Sequence, residues 1–221
     1  MSDNHEEEGE PWLVSYADLM TLLFGFFVLM YTFEAAKNQD SEGMVKIREE
    51  FAKYFGGSYA NPLDKITEEI KKGIEEFGGE EIVEVHQSLE GIDLTFKSTV
   101  VFDTGKSDLM PEARKIIGIL IEVLKDKTEL KTVLVEGHTD NVPIINNDIY
   151  PSNWELSAAR ASTVIRMFES NGYDPAILTA IGFGESRPLY PHRDEKGNDI
   201  IKNRNFNRRV VVKIMVNPEK M

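Results

Sequence analysis

Residues 12–33 read WLVSYADLMTLLFGFFVLMYTF, an apolar run of 22 residues with a single charged side chain, Asp18. As an α-helix this run would rise about 33 Å, which matches the hydrocarbon core of a bilayer at about 30 Å. The preceding stretch HEEEGE is acidic, whereas a cleaved signal peptide carries Lys or Arg before its apolar core. The sequence therefore predicts one retained transmembrane helix at residues 12–33.

Asp18 is the candidate functional residue of this span. Inserting an Asp into the membrane costs about 2.5–3.5 kcal/mol on translocon scales, so such a residue faces protein or water and marks an ion or proton site by default. Helical spacing places it on one polar, small-residue face with Ser15, Thr21, Gly25 and Thr32. We predict an ion site at Asp18, supported by Ser15 and Thr21, that packs against another helix. The alternative is a carboxylate hydrated near the membrane interface.

Composition limits what the rest of the chain can be. Charged residues make up 29% of the sequence and the formal net charge is -13, which argues against a nucleic-acid-binding surface. A single apolar run excludes a multispanning protein. The chain has no Cys, which excludes disulfides and thiolate zinc sites, and its four His show no metal-ligand spacing. We predict no cofactor and no metal site, only a transported proton or sodium ion.

Two amphipathic helices are predicted in residues 34–80, between the span and the C-terminal domain. The first occupies residues 38–55, and the second follows Pro62 and ends at Gly78 and Gly79. Their apolar faces consist of Met44, Ile47, Phe51 and Phe55 in the first, and of Ile66, Ile70, Ile74 and Phe77 in the second. The first helix is either a packed stalk or a regulatory segment at the mouth of an ion pathway.

The C-terminal segment, residues 81–221, has the pattern of a compact domain large enough to bury its own core. β-branched residues predict strands at 82–88, 92–97, 132–137, 178–183 and 209–216. Apolar periodicity predicts helices at 111–126 and 153–171. Because strands and helices alternate, we predict an α/β (α+β sandwich) fold with a mixed sheet and helices packed on one face.

Four motifs in this segment occur in a fixed order. They are VEGHTDNVP at 135–143, SNWELSAARA at 152–161, GFGESRP at 182–188 and NFNRRV at 205–210. This succession resembles the OmpA-like peptidoglycan-binding domain over roughly residues 99–216. The resemblance implies that Asp140 and Arg160 hold the diaminopimelate of the cell-wall peptide. It also implies a wider peptidoglycan site that includes Asn153, Leu156 and Ser157, at the start of the helix that presents Arg160, and Asn207 and Arg208 in the same groove.

The chemistry of Asp140 and Arg160 suits such a ligand. A free amino-acid end carries an ammonium and a carboxylate a few Å apart, which an Asp acceptor and the planar fork of an Arg can bind. The alternative is a salt bridge between the two residues that ties strand to helix. A hydrolytic triad of His138, Asp140 and Ser157 is disfavoured, since the chain lacks the G-x-S-x-G and H-E-x-x-H motifs. We predict that the protein is not an enzyme.

The string Tyr16-Ala17-Asp18-Leu19-Met20, together with this domain, resembles the B subunits of the flagellar motor stator (the MotB, PomB and MotS family). The resemblance implies a homodimer within a ring of five A subunits of the MotA or PomA kind. In that assembly Asp18 passes an ion from periplasm to cytoplasm, the C-terminal domain grips peptidoglycan, and residues 38–55 are a plug. The run FGFFVLMYTF is more similar to sodium-type than to proton-type members.

The same resemblance implies an inner-membrane, single-pass protein. Its parts would be a cytoplasmic tail at 1–11, the span at 12–33, plug and linker helices at 34–80, and a periplasmic domain at 81–221. The charge bias predicts the opposite orientation, because no basic residue precedes the span and several follow it: Lys37, Lys46, Arg48 and Lys53.

Three other functions stay open at the level of sequence. A passive membrane tether to peptidoglycan would need the C-terminal domain but not Asp18. An energy transducer of the TolR or ExbD kind would need Asp18 but not the GHTD and LSxxRA motifs. A wall-anchored antiphage motor of related architecture would carry both. The presence of both features favours the flagellar stator, and the antiphage motor stays a further possibility.

Overall fold

The computed structural model describes residues 11–39, 50, 53–54, 62–88, 91–125, 130–145 and 147–216. The chain divides into two compact units, Met1–Gly57 and Ser58–Met221. The residues predicted to form the apolar face of the plug, Met44, Ile47, Phe51 and Phe55, lie outside the described part.

The N-terminal unit contains helix α1, Pro11–Gln39, which is 29 residues long and continues past the predicted end of the span. Within it, Trp12–Thr32 is long and apolar enough to cross a membrane, and its side chains are exposed. Such a surface of Leu, Phe and Met needs lipid or another helix as its partner. This agrees with a single transmembrane helix at 12–33.

The C-terminal unit is built on a five-stranded mixed sheet with the strand order β1-β2-β5-β3-β4. The strands are β1 (Val83–Gln87), β2 (Gly91–Lys97), β3 (Leu130–His138), β4 (Leu178–Gly182) and β5 (Arg209–Val216). Among the described strands, β3 and β4 pair in parallel and the other pairs are antiparallel. The five predicted strands and the mixed sheet are confirmed, with end positions that differ by at most two residues.

In the described part of this unit, five α-helices accompany the sheet: α2 (Pro62–Glu76), α3 (Ser98–Val101), α4 (Pro111–Leu124), α5 (Asn153–Ser170) and α6 (Ile201–Asn207). Helix α4 begins at a proline, whose fixed φ suits a first helical turn. Helix α5 begins after Ser152, whose hydroxyl accepts a hydrogen bond from the backbone N–H of Trp154. The predicted helices at 111–126 and 153–171 are confirmed.

Helix α2 belongs to this unit rather than to a separate linker. Its apolar face, Leu63, Ile66, Ile70 and Ile74, is buried in the hydrophobic core. The sequence-based boundary at residue 81 therefore cuts through a unit that begins at Ser58. Phe77 was expected on the same face but is 63% exposed, because the helix ends at Glu76 and the turn that follows carries the side chain off the core.

A close contact between helix α5 and the sheet fixes the geometry of the region around Asp140. A Cβ at Gly137 would lie 2.1 Å from the carbonyl oxygen of Ser157, and a Cβ at Gly182 would lie 2.5 Å from the backbone nitrogen of Ala158. Only residues without a side chain allow the helix to approach β3 and β4 this closely. The loop that follows β3 is thereby brought against the first turns of α5.

We expect Gly137→Ala to lower the free energy of unfolding by about 1–3 kcal/mol or more, since the added methyl group overpacks a contact with main-chain atoms. Urea unfolding of residues 58–221 measures the change. Gly118→Ala in α4 is the matched control, because a Cβ there meets nothing within 4 Å. Alanine favours the helix, so this control is expected to be neutral or stabilising by up to about 1 kcal/mol. Equal effects of the two changes would contradict the close-packing argument.

Candidate functional site

A cavity of about 490 Å³ lies beside the loop that follows β3. Its wall is formed by α3 and the loop after it, by residues between Thr139 and Ile145 together with Asn147, by the start of α5 and by Arg208. The structure brings five of the predicted peptidoglycan-site residues together there: Asp140, Asn153, Leu156, Arg160 and Arg208. Segments far apart in sequence therefore supply one acid and two guanidinium groups to the same cavity.

Arg160 is held almost entirely by the protein. Its Nε donates to the carbonyl of Lys106 at 2.9 Å, its Nη1 to Ser98 Oγ at 3.0 Å and its Nη2 to the carbonyl of Asp103 at 3.2 Å. The guanidinium also lies over the ring of Phe102, 5.0 Å from its centroid. The residue is 5% exposed, and three of its N–H groups donate to neutral acceptors.

Keeping the Arg160 side chain protonated at this buried position costs free energy. Burial, and then the positive charge of Arg208, lower its pKa to about 10, while Tyr150 and Asp140 act in the opposite direction. At neutral pH the group is still protonated. A buried cation held by neutral acceptors favours an anion in the adjoining cavity.

Asp140 has Arg208, not Arg160, as its ion partner. Its Oδ2 accepts from Arg208 Nη1 at 2.5 Å and its Oδ1 accepts from the backbone N–H of Val142 at 3.1 Å. Within the described residues, no ion pair joins Asp140 to Arg160. The alternative of a salt bridge between those two residues is therefore wrong, and the ion pair that exists ties the loop after β3 to the residue that precedes β5.

Asn153 positions the Asp140 loop. Its Nδ2 lies 3.3 Å from the carbonyl oxygen of Asp140, 3.0 Å from that of Val142 and 2.8 Å from Glu185 Oε2. Leu156, one turn later on α5, adds an apolar part of the wall. The first turns of α5 thus hold the loop in place and close one side of the cavity.

Two predicted site residues do not line the cavity. Ser157 is fully buried; its hydroxyl donates to the carbonyl of Trp154 and accepts from the N–H of Gly184, both at 2.9 Å. Asn207 is also fully buried, and its side chain bonds both the N–H and the carbonyl of Tyr190 at 2.9 Å. The prediction that they line the site is therefore wrong. Both residues hold the loop after β4 in place and affect the site only indirectly, through that loop.

Several residues near the cavity were not predicted from the sequence. Thr139 lines the cavity, and its hydroxyl is buried with no hydrogen-bond partner in the described part of the chain. Asn147 also lines the cavity, and its Nδ2 donates to the carbonyl of Gly105 at 3.2 Å. The hydroxyls of Ser107 and Tyr150, which are not lining residues, lie 2.7 Å apart and join the same two loops. Thr139 could have been predicted as the neighbour of Asp140 in the GHTD motif. The contacts between the two loops join residues far apart in sequence, so no local sequence pattern predicts them.

The hydrolytic triad is not assembled. His138 is buried with its Nε2 3.4 Å from Glu136 Oε2, and its ring stacks on that of Phe183 at 5.2 Å. Burial lowers the pKa of His138, although the Glu136 carboxylate opposes the shift. The Ser157 hydroxyl bonds backbone groups of α5 and of the loop after β4, so it is not paired with this imidazole.

In helix α1, the hydroxyl of Thr21 donates to the backbone carbonyl of Asp18 at 2.7 Å. Thr32 makes the same contact to the carbonyl of Leu29 at 2.8 Å. A threonine hydroxyl that gives its hydrogen to the preceding turn keeps its oxygen lone pairs as acceptors. Thr21 can therefore present an oxygen one turn from the Asp18 carboxylate, while Thr32 offers the same group with no acid one turn before it.

Comparisons with known proteins cover both ends of the chain. Residues 101–202 match the OmpA family, and residues 2–53 match the family described as the membrane MotB of the proton-channel complex MotA/MotB. Motility protein B of Bacillus subtilis is 27% identical, over 96% of this chain and 93% of its own length.

Solved structures agree with these matches. A MotB-like protein from Desulfovibrio vulgaris is 30% identical with a TM-score of 0.61, over 70% of this chain and 91% of that protein. The periplasmic domain of Helicobacter pylori MotB shares the fold, with a TM-score of 0.52 and 22% identity over 62% of this chain and 83% of that domain.

Proposed function

Since the chain belongs to the MotB family of flagellar stator B subunits, with an OmpA-like C-terminal domain, we propose that Asp18 carries the coupling ion while the Asp140 cavity anchors the stator to peptidoglycan. Members of this family are structural stator and anchor components, so the protein is not an enzyme. One observation carries the proposal: an apolar segment with a single acid, Trp12–Thr32, and a cavity lined by opposite charges occur in one chain.

The proposed wall ligand is the amino-acid end of diaminopimelate in the peptidoglycan stem. Its ammonium matches the Asp140 carboxylate, and its carboxylate matches the guanidinium groups of Arg160 and Arg208, which line the same cavity. The apolar wall at Leu156 and Val142 suits the methylene chain between the two ends of the ligand. A cavity of about 490 Å³ admits a peptide side chain but not a folded protein segment.

The proposed ion site is made by Asp18 with Thr21 and Ser15. All three side chains are exposed on α1, and in the assembly they would face a second B subunit and the surrounding A subunits, in the two-to-five arrangement. Either a proton or sodium can be the coupling ion, since carboxylate and hydroxyl oxygens can accept both. We place the N-terminus in the cytoplasm and the wall domain in the periplasm, because only that orientation brings the cavity to its ligand.

Residues 38–55 are proposed to be a plug that closes the ion pathway until the stator is anchored. This segment overlaps the part of the chain that matches the MotA/MotB membrane family, and its apolar residues recur at helical spacing. Such a face would dock on the mouth of the pathway. A passive tether would need neither this segment nor Asp18.

We expect deletion of residues 41–54 to make cells that co-express the A subunit leak protons or sodium and grow slowly, because the pathway loses its closure. Cytoplasmic pH and sodium indicators measure the leak. Adding Asp18→Asn to the deletion is expected to suppress it. Unchanged ion flux in the deletion would leave residues 38–55 as a stalk, and a leak that persists without Asp18 would mean that the membrane seal was damaged.

A further inference from the structure

The Asp140–Arg208 ion pair occupies the position that the ligand's charges would need. Asp140 is 6% exposed and is paired through Oδ2 with Arg208. A wall ammonium can reach this carboxylate only by competing with the guanidinium already there. Without ligand, Asp140 and Arg208 thus neutralise each other. The ligand's ammonium and carboxylate would take over these two roles.

Arg208 is the guanidinium that is able to change partner. Its side chain is 32% exposed, and its side-chain partners are Asp140 and the Oδ1 of Asn205. Its main chain is anchored separately, through its N–H to Arg204 and its carbonyl to the N–H of Ser98. Arg160, in contrast, is buried with Nε, Nη1 and Nη2 each bonded to protein acceptors. The side chain of Arg208 can move without moving the strand.

We propose that the amino-acid end of the wall peptide binds by exchange with this pair: its ammonium replaces Arg208 on Asp140, and its carboxylate replaces Asp140 on Arg208. Arg208 is then the residue that selects a ligand with a carboxylate beside the ammonium. This inference rests on the proposed peptidoglycan binding. Arg160 contributes a fixed positive wall rather than the exchanging contact.

The selectivity follows from the cost of leaving a desolvated charge without a partner. A ligand that carries both charges replaces one ion pair by two. A ligand with the ammonium alone also breaks the pair, but it leaves the guanidinium of Arg208 without its carboxylate, which is strongly unfavourable for a half-buried group. The Asp140–Arg208 pair therefore lowers the affinity for ligands that lack the carboxylate, and Arg208 raises the affinity for ligands that have it.

Two wall tripeptides test the exchange. One ends in meso-diaminopimelate, and the other ends in L-lysine, which differs only by lacking the side-chain carboxylate. Their affinities for the full-length chain in detergent are measured by calorimetry, for the wild type and for Arg208→Gln. The control is Arg193→Gln, which makes the same charge change at an exposed arginine paired with Asp199 outside the cavity.

We expect the wild type and Arg193→Gln to prefer the diaminopimelate peptide by about ten- to a hundredfold, the range typical of one charge-assisted contact. Arg208→Gln is expected to bind the diaminopimelate peptide about tenfold or more weakly and the lysine peptide equally well or better, so that the preference disappears. A variant that loses affinity for both peptides to the same degree, or that keeps the preference, would overturn the exchange. If the wild type binds neither peptide, the proposed peptidoglycan binding itself fails.

Discussion

Asp18→Asn is expected to abolish motility while the stator still assembles. The substitution keeps the size and hydrogen-bonding capacity of the side chain but removes its ability to take up and release a positive ion. Asp18 is the only charged residue in residues 12–33, so no neighbouring group in the span can replace it. The expected result is no swimming in soft agar, with fluorescently labelled chain still present at the motors.

Two further variants locate the effect at the ion site. Asp18→Glu is expected to keep partial swimming, because the charge survives at a displaced position. Thr21→Val is expected to slow swimming more than Thr32→Val, since both hydroxyls donate to a backbone carbonyl but only Thr21 lies one turn from the acid. Normal swimming by Asp18→Asn would remove the ion-carrier role from this residue.

Asp140→Ala is expected to release the chain from peptidoglycan. The change removes the carboxylate that the wall ammonium needs and leaves the positive charges of Arg208 and Arg160 uncompensated in the cavity. Loss of one charge-assisted contact costs about 1.5–3 kcal/mol, or roughly ten- to a hundredfold in affinity. Co-sedimentation of the full-length chain with purified cell wall, in detergent, measures the loss.

Arg160→Ala is expected to release the chain as well, for a different reason. The carbonyls of Asp103 and Lys106 lose their donor, so the loop that forms the rim is no longer held against α5. Glu122→Ala is the control, because Glu122 is a surface carboxylate of α4 that pairs with Lys125 and does not line the cavity. Wild-type sedimentation by both Asp140→Ala and Arg160→Ala would place the wall site elsewhere.

Much of the fold was predictable because its signals are local. The runs of β-branched residues gave the five strands, and Pro111 and Ser152 marked the starts of two helices. The helix after Pro62 was also predicted, but not its place in the core. Whether an amphipathic helix packs on its own domain or on another surface depends on contacts distant in sequence, here with α4 and the sheet.

The site was predictable as a neighbourhood but not as a set of contacts. The order of the motifs placed Asp140, Arg160 and Arg208 together, and the structure agrees. Which arginine pairs with Asp140 depends on the path of the segment between β4 and β5. That segment places Arg208 beside Asp140, although the two residues are 68 positions apart in the sequence. The polar residues Ser157 and Asn207 belong to the same motifs, yet their side chains form hydrogen bonds with backbone groups of that segment and do not line the cavity.

The rotation of single tethered cells tests most directly whether this chain couples ion flow to torque. The chain and its own A subunit are induced in a motile host that lacks stators, and the speed of one motor is followed over time. Wild-type chain is expected to raise the speed in discrete steps as stators engage, and Asp18→Asn is expected to give no step at equal abundance in the membrane. Speed steps of normal size driven by the Asp18→Asn chain would contradict ion coupling through Asp18.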